Sequence, residues 1–132
     1  MKIARFEDVI AWQKARILNR ELFKEFKISR DFTFRDQMLR ASLSITNNIA
    51  EGFERGTAKE LKQFLIIARG STAEVRSMLY IAEDNNYINN SRHQELLKLV
   101  DETGRLLTGF IKKLVPAPKT IQRLNNETMQ QP

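Results

Sequence analysis

TAKELKQFLIIARGSTAEVRSMLYIAEDNN, Thr57 to Asn86, carries two apolar stripes. Projected at about 100° per residue, as 3.6 residues per turn requires, Leu61, Phe64, Leu65, Ala68, Val75, Leu79 and Ala82 fall on one side. Ile66, Gly70, Ala73, Ser77, Tyr80 and Ile81 fall on the far side. Only a narrow strip of Lys62, Arg69, Arg76 and Glu83 is left for water. A surface helix buries one stripe, whereas a helix apolar all round is buried all round. A chain of 132 residues fits one domain with one small core. The second stripe is therefore expected to meet another copy of the chain, which makes the protein an oligomer.

The flanking sequence reads as three more helices, and capping signals mark the starts. The first runs from about Glu7 or Asp8 to about Lys27, with Val9, Trp12, Ala15, Leu18, Leu22, Phe23 and Phe26 inward. Thr33, with Asp36 three residues on, resembles a capping box and opens the second. Its inward face is Met38, Leu39, Ser42, Ile45, Ile49 and Phe53, and Gly52 and Gly56 bracket its end. Thr57 with Glu60 is a second box, and Ser91 with Gln94 a third. The fourth helix carries Leu96, Leu97, Val100, Gly104, Leu107, Phe110, Ile111 and Leu114, and Pro116 and Pro118 end it. Residues 116–132, rich in Pro, Asn, Gln and Thr, read as a poorly ordered tail. The fold class is thus all-α. Residues 1–115 are expected to form an antiparallel up-down-up-down four-helix bundle.

Composition removes several classes of function. There is no cysteine, so disulfides, thiolate metal sites and cysteine nucleophiles are excluded. Met1 to Ile10 has no apolar run of the kind a signal peptide needs. No stretch approaches the about 18 apolar residues of a membrane span. A cytoplasmic protein with no membrane partner is expected. The net charge of +6 favours a polyanionic partner such as RNA or DNA through phosphate contacts.

Arg16, Arg20, Lys24 and Lys27 lie within about 80° of arc on the first helix, the best candidate for a phosphate-facing stripe. The competing reading is a solvated face in which Glu21 and Glu25 pair with neighbouring cations. Ile10, Ile17 and Ile28 stand outside the core stripe and are candidates for a subunit contact. A polar seam of Arg40, Ser44, Asn47, Asn48 and Glu51, with Arg69 and Glu74 on the third helix, reads as a structural network between helices or subunits. It holds no nucleophile with an adjacent base, so catalysis there is the weaker reading. The single histidine, His93, has no ligand partner at helical spacing and is expected on the surface. No metal, cofactor, phosphate-loop or nucleophile-elbow motif is present, and no enzymatic activity, cofactor or metal is expected.

Phe6-Glu7-Asp8-Val9 with Trp12-Gln13-Lys14-Ala15, Ile45-Thr46-Asn47-Asn48-Ile49-Ala50-Glu51-Gly52-Phe53, Lys59-Glu60, and Phe64-Leu65-Ile66-Ile67-Ala68-Arg69-Gly70-Ser71 with Glu74 resemble one known family. It is the four-helix-bundle family of the 23S rRNA intervening sequence. The likeness extends from about Phe6 to Leu114. It implies an antiparallel bundle assembling as a homopentameric ring, with a biochemical role that is unsettled. It also implies a fold similar to the accessory variability protein of diversity-generating retroelements, a basic pentamer that works with a reverse transcriptase and its RNA. Leu39 stands beside Arg40 where family members often have a second basic residue. The expectation is a non-enzymatic homo-oligomer, a pentamer by this resemblance, acting as an accessory RNA- or DNA-binding scaffold. The alternative is a protein-interaction scaffold with no nucleic-acid partner. No small-molecule substrate is evident.

Overall fold

The computed structural model describes residues 3–114, and the expected tail lies outside the described residues. A single 3-10 turn, Phe6–Asp8, precedes four helices: α1 (Ile10–Phe26), α2 (Phe32–Glu54), α3 (Ala58–Asp84) and α4 (Asn90–Leu114). No strand occurs among the described residues. Each helix runs close beside two others, in the cycle α1–α2–α3–α4, while the diagonal pairs α1–α3 and α2–α4 lie farther apart. That arrangement leaves one apolar channel in the middle. Leu18, Leu22, Phe26, Met38, Ile45, Ile49, Leu65, Leu79, Leu96 and Leu107 fill it and are fully buried. Leu39, Phe53, Leu61 and Trp12 pack against it from its rim.

The helix boundaries differ from the sequence reading at three places, each with a local cause. α1 starts at Ile10 and not at Glu7 or Asp8, because Val9 is extended (φ −74°, ψ 119°) and breaks the register after the 3-10 turn. The Phe6 and Trp12 rings, 5.2 Å apart edge to face, hold that turn in place. The cap of α2 is Asp31, whose Oδ1 accepts the Phe34 N–H at 3.1 Å. Thr33 therefore sits inside the first turn, and Asp36 pairs with Arg35 instead. At α4 the Asn89 side chain accepts the Arg92 N–H at 2.8 Å and displaces Ser91 from the capping role. The box at Thr57 forms as read, with the Glu60 N–H donating to Thr57 Oγ1 at 3.2 Å.

The glycines also divide their roles differently. Gly56 has φ +90° and stops α2, as a terminal glycine does. Gly52 lies inside α2 and is buried. A Cβ there would come within 2.6 Å of Phe64 Cβ on α3, so the absent side chain is what lets these helices approach closely. α3 ends in a Schellman motif with Asn86 in the left-handed position, φ 61°. The Tyr87 N–H returns to the Ala82 carbonyl and the Asn86 N–H to that of Glu83. Tyr87 then ties the α3–α4 connector to the α1–α2 connector. Its Oη donates to Asp31 Oδ2 at 2.5 Å, and its ring meets that of Phe34, which in turn meets Phe26. Asp31 is held below the usual carboxylate range by that hydroxyl and by the Phe34 N–H, and the Tyr87 phenol is pushed up in return.

His93 is buried, not exposed. Its Nδ1 contacts Glu83 Oε1, and the edge of its ring lies 4.7 Å, centroid to centroid, from Tyr80. Sequence spacing compared His93 only with residues on its own helix, whereas its partner lies on α3. The His93 and Asn90 hydrogen bonds hold the Glu83 carboxyl below its ordinary range.

Candidate functional site

α3 has one long side uncovered. Its core stripe is buried as read, with Leu65, Ala68, Val75, Leu79 and Ala82 inaccessible. Every member of the second stripe, Ile66, Gly70, Ala73, Ser77, Tyr80 and Ile81, is exposed in the single chain. Ile66, Tyr80 and Ile81 stand 42%, 49% and 45% accessible, and Ile67 beside them 52%. Nothing lies within 4 Å of a Cβ built at Gly70, so the middle of this face is open and flat. Of the strip expected to face water, Arg76 is exposed as read. Arg69, Lys62 and Glu83 are half-buried, because α4 packs along that edge of α3. Ile10 and Ile17 of α1 are exposed at 63% and 37%, and Ile28 beyond it is exposed as well.

The seven residues read as a polar seam are joined only in part within one chain: Asn48 donates to Ser44 Oγ at 2.9 Å. Arg40, Asn47 and Glu74 are exposed and make no hydrogen bond or ion pair among the described residues. Glu51 pairs with Arg55 at 3.1 Å, and Arg69 reaches Thr108 Oγ1 at 3.5 Å. The cause is angular. Arg40, Asn47 and Glu51 lie some 140–180° from the Met38–Ile45–Ile49 face by the 100° projection, so they look outward. The other networks draw mainly on residues outside the seam, with Ser44 the seam member among them. Asn19 of α1 donates to Thr46 Oγ1 at 3.0 Å and accepts from Ser42. Ser71 donates to Ser44 Oγ at 2.8 Å, joining α3 to α2. Arg92 binds Glu21 and Glu25 of α1, both at 2.7 Å, and Glu95 at 3.0 Å. Partial desolvation opposes the charge on Arg92, but its three carboxylates outweigh it and raise the guanidinium pKa. Arg92 also holds Glu21 below its usual range, with help from Lys24.

Two basic surfaces result. On α1, Arg16, Arg20, Lys24 and Lys27 are all exposed. Lys24 is tied to Glu21 at 3.3 Å, and the Arg16 guanidinium lies over the Trp12 ring. Glu21 and Glu25 do pair with cations, as the solvated-face reading supposed, but mainly with Arg92 across the α1–α4 contact. The second surface is a shallow groove of about 600 Å³ between α3 and α4, bearing Arg69, Arg76, Arg105 and Lys112. Sequence reading took Arg69 as a member of the polar seam. The signal available was their spacing: Arg69 and Arg76 on α3, and Arg105 and Lys112 on α4, are each seven residues apart and share a face.

No group of three His, Cys, Asp or Glu side chains able to hold a metal occurs among the described residues. No helix among them is long and apolar enough to cross a membrane. The arrangement offers an apolar face and cationic surfaces, which are the chemistry of association.

A four-helix chain with these motifs falls within a defined group. Residues 7–109 match the 23S rRNA-intervening sequence protein model, and the chain belongs to that family. The fold is also that of a protein of unknown function from the S23 ribosomal protein family of Bacteroides thetaiotaomicron. The two share 22% identity with a TM-score of 0.73, covering 77% of this chain and 98% of that one. No curated protein is significantly similar.

Proposed function

We propose that the protein is a non-enzymatic, cytoplasmic homo-oligomer that serves as an accessory nucleic-acid-binding scaffold. The observation that carries the reading is the uncovered face of α3: Ile66, Ile67, Tyr80 and Ile81 around a flat middle of Gly70, Ala73 and Ser77. Large apolar side chains grouped on one helix face, with small residues between them, fit close approach by another helix. The subunit is an antiparallel up-down-up-down bundle. Phe26–Phe34, Gly52–Phe64 and Glu83–His93 each bring the end of one helix to the start of the next, and Arg92 near the start of α4 pairs with Glu21 and Glu25 near the end of α1. A homopentamer is the assembly that the family resemblance implies. Ile10 and Ile17, with the outward-facing Arg40, Asn47 and Glu74, supply further groups for subunit contacts. The net charge of +6 supports a phosphate-bearing partner.

The test is the assembly state. Gly70→Glu places a charge in the middle of the face without touching the subunit's own packing, since a Cβ there meets nothing within 4 Å. Sedimentation velocity should give a defined oligomer for the wild type and smaller species for Gly70→Glu, with helical circular dichroism retained. A wild type that sediments as a monomer at micromolar concentration refutes the reading.

A further inference from the structure

The groove between α3 and α4 is organised as a ladder. Arg69 sits across from Thr108, and Arg76 pairs with Asp101 at 3.4 Å. Seven residues along α3 therefore correspond to seven in the reverse sense along α4. Arg105 falls at a level between Arg69 and Arg76, and Lys112 falls about one turn beyond Arg69. The cations follow one another as Lys112, Arg69, Arg105 and Arg76 on alternating walls. Each step is three to four residues, or about 4.5–6 Å at 1.5 Å per residue.

Little among the described residues neutralises this ladder. Asp101 is the one acidic group lining the groove, and Arg76 already engages it. Arg105 and Lys112 make no ion pair among the described residues, and Arg69 has only the Thr108 hydroxyl. No aromatic side chain lines the groove, so it offers nothing on which a base could stack. Gly104 and Gly109 lower the α4 wall, and a Cβ at Gly109 would meet nothing within 4 Å. The stripe on α1, by contrast, has Glu21 beside Lys24 and is partly compensated.

We propose that the α3–α4 groove is the main phosphate-contacting site of the protein and seats the backbone of one nucleic-acid strand, recognised by charge and not by base identity. This rests on the nucleic-acid reading above and assigns it a place. Phosphates along a strand meet cations from alternating walls, and ring symmetry repeats the ladder in every subunit, so modest contacts add through avidity.

Fluorescence anisotropy of labelled single-stranded RNA and of DNA of the same sequence, between about 50 and 200 mM salt, tests the assignment. The wild type should bind both with similar affinity. Arg69→Gln/Arg105→Gln/Lys112→Gln removes three cations and should flatten the slope of log K against log salt by about 2, at roughly 0.7 per phosphate contact on single strands. Arg69→Lys/Arg105→Lys should keep the slope, since a phosphate contact needs only the charge. Arg16→Gln/Arg20→Gln/Lys24→Gln/Lys27→Gln on α1 should change it by less than about 1. Loss of slope in the α1 variant with the groove variant unchanged overturns the assignment and leaves the nucleic-acid reading standing. A groove variant whose sedimentation differs from wild type makes the groove a subunit contact and also overturns it. Wild type that binds neither strand at low salt refutes the nucleic-acid reading itself.

Discussion

Gly52→Ala tests the close approach of α2 and α3. The new methyl would lie 2.6 Å from Phe64 Cβ and 3.3 Å from both Leu61 Cδ1 and Phe64 Cγ. Unstrained carbon contacts sit at about 3.5–4.0 Å, so the pair must open by about 1 Å. Phe64 Cβ is fixed to the α3 backbone and no rotamer moves it, so the adjustment falls on the helices themselves. Overpacking of that kind costs about 1–3 kcal/mol, and the rigid contact puts it in the upper half. Alanine in a helix interior returns up to about 1 kcal/mol relative to glycine. The net loss is about 1–2 kcal/mol, or roughly 3–10 °C in Tm for a domain of this size. Gly109→Ala is the control, because its Cβ meets nothing within 4 Å and only the helix-propensity gain remains. Thermal unfolding followed by circular dichroism, at one protein concentration because assembly shifts Tm, should place Gly52→Ala below wild type and Gly109→Ala at or above it. A Gly52→Ala protein as stable as wild type, beside a stabilised Gly109→Ala, refutes the argument from close approach.

Three other substitutions probe different forces. Glu83 has its carboxyl lowered by His93 and Asn90, so its contribution is whole above the ordinary value of 4.5 and is lost as pH falls through the lowered one. Glu83→Gln should therefore shrink the drop in Tm between neutral and strongly acid solution, and an unchanged drop contradicts the linkage. Thr57→Ala removes the cap of α3 and should cost about 1 kcal/mol in urea unfolding; a loss below a few tenths would mean that water caps this end equally well. Arg92→Met breaks three ion pairs, two of which join α1 to α4, and their partial exposure limits the loss to about 1 kcal/mol in the same assay.

What the sequence revealed follows what local physics controls. Periodicity found the buried stripe of each helix, and Thr57 with Glu60 found the start of α3, because both signals act within one or two turns. Asp31 and Asn89 took the caps expected at Thr33 and Ser91, since several capping residues stood close together and only backbone geometry chooses among them. His93 was misread because its burial depends on α3 packing beside α4, a relation that spacing on one helix does not encode. The same holds for the α3–α4 groove. Arg69 and Lys112 are 43 positions apart in the chain, and their charges form one surface only after the helices pair.

Tyr87 and Asp31 divide the chain into parts that open unequally. The hydrogen bond between them, with the Phe26, Phe34 and Tyr87 rings, makes the α1–α2 and α3–α4 connectors a single cooperative unit, so neither loosens without the other. The α2–α3 connector has no such link. Arg55 binds Glu51 and Glu60 and lies over Phe64, all partners within the two helices it joins. Transient opening under native conditions should therefore begin around Gly56. A protease that needs unfolded backbone, such as trypsin, should cut after Arg55 well before it cuts after Arg30.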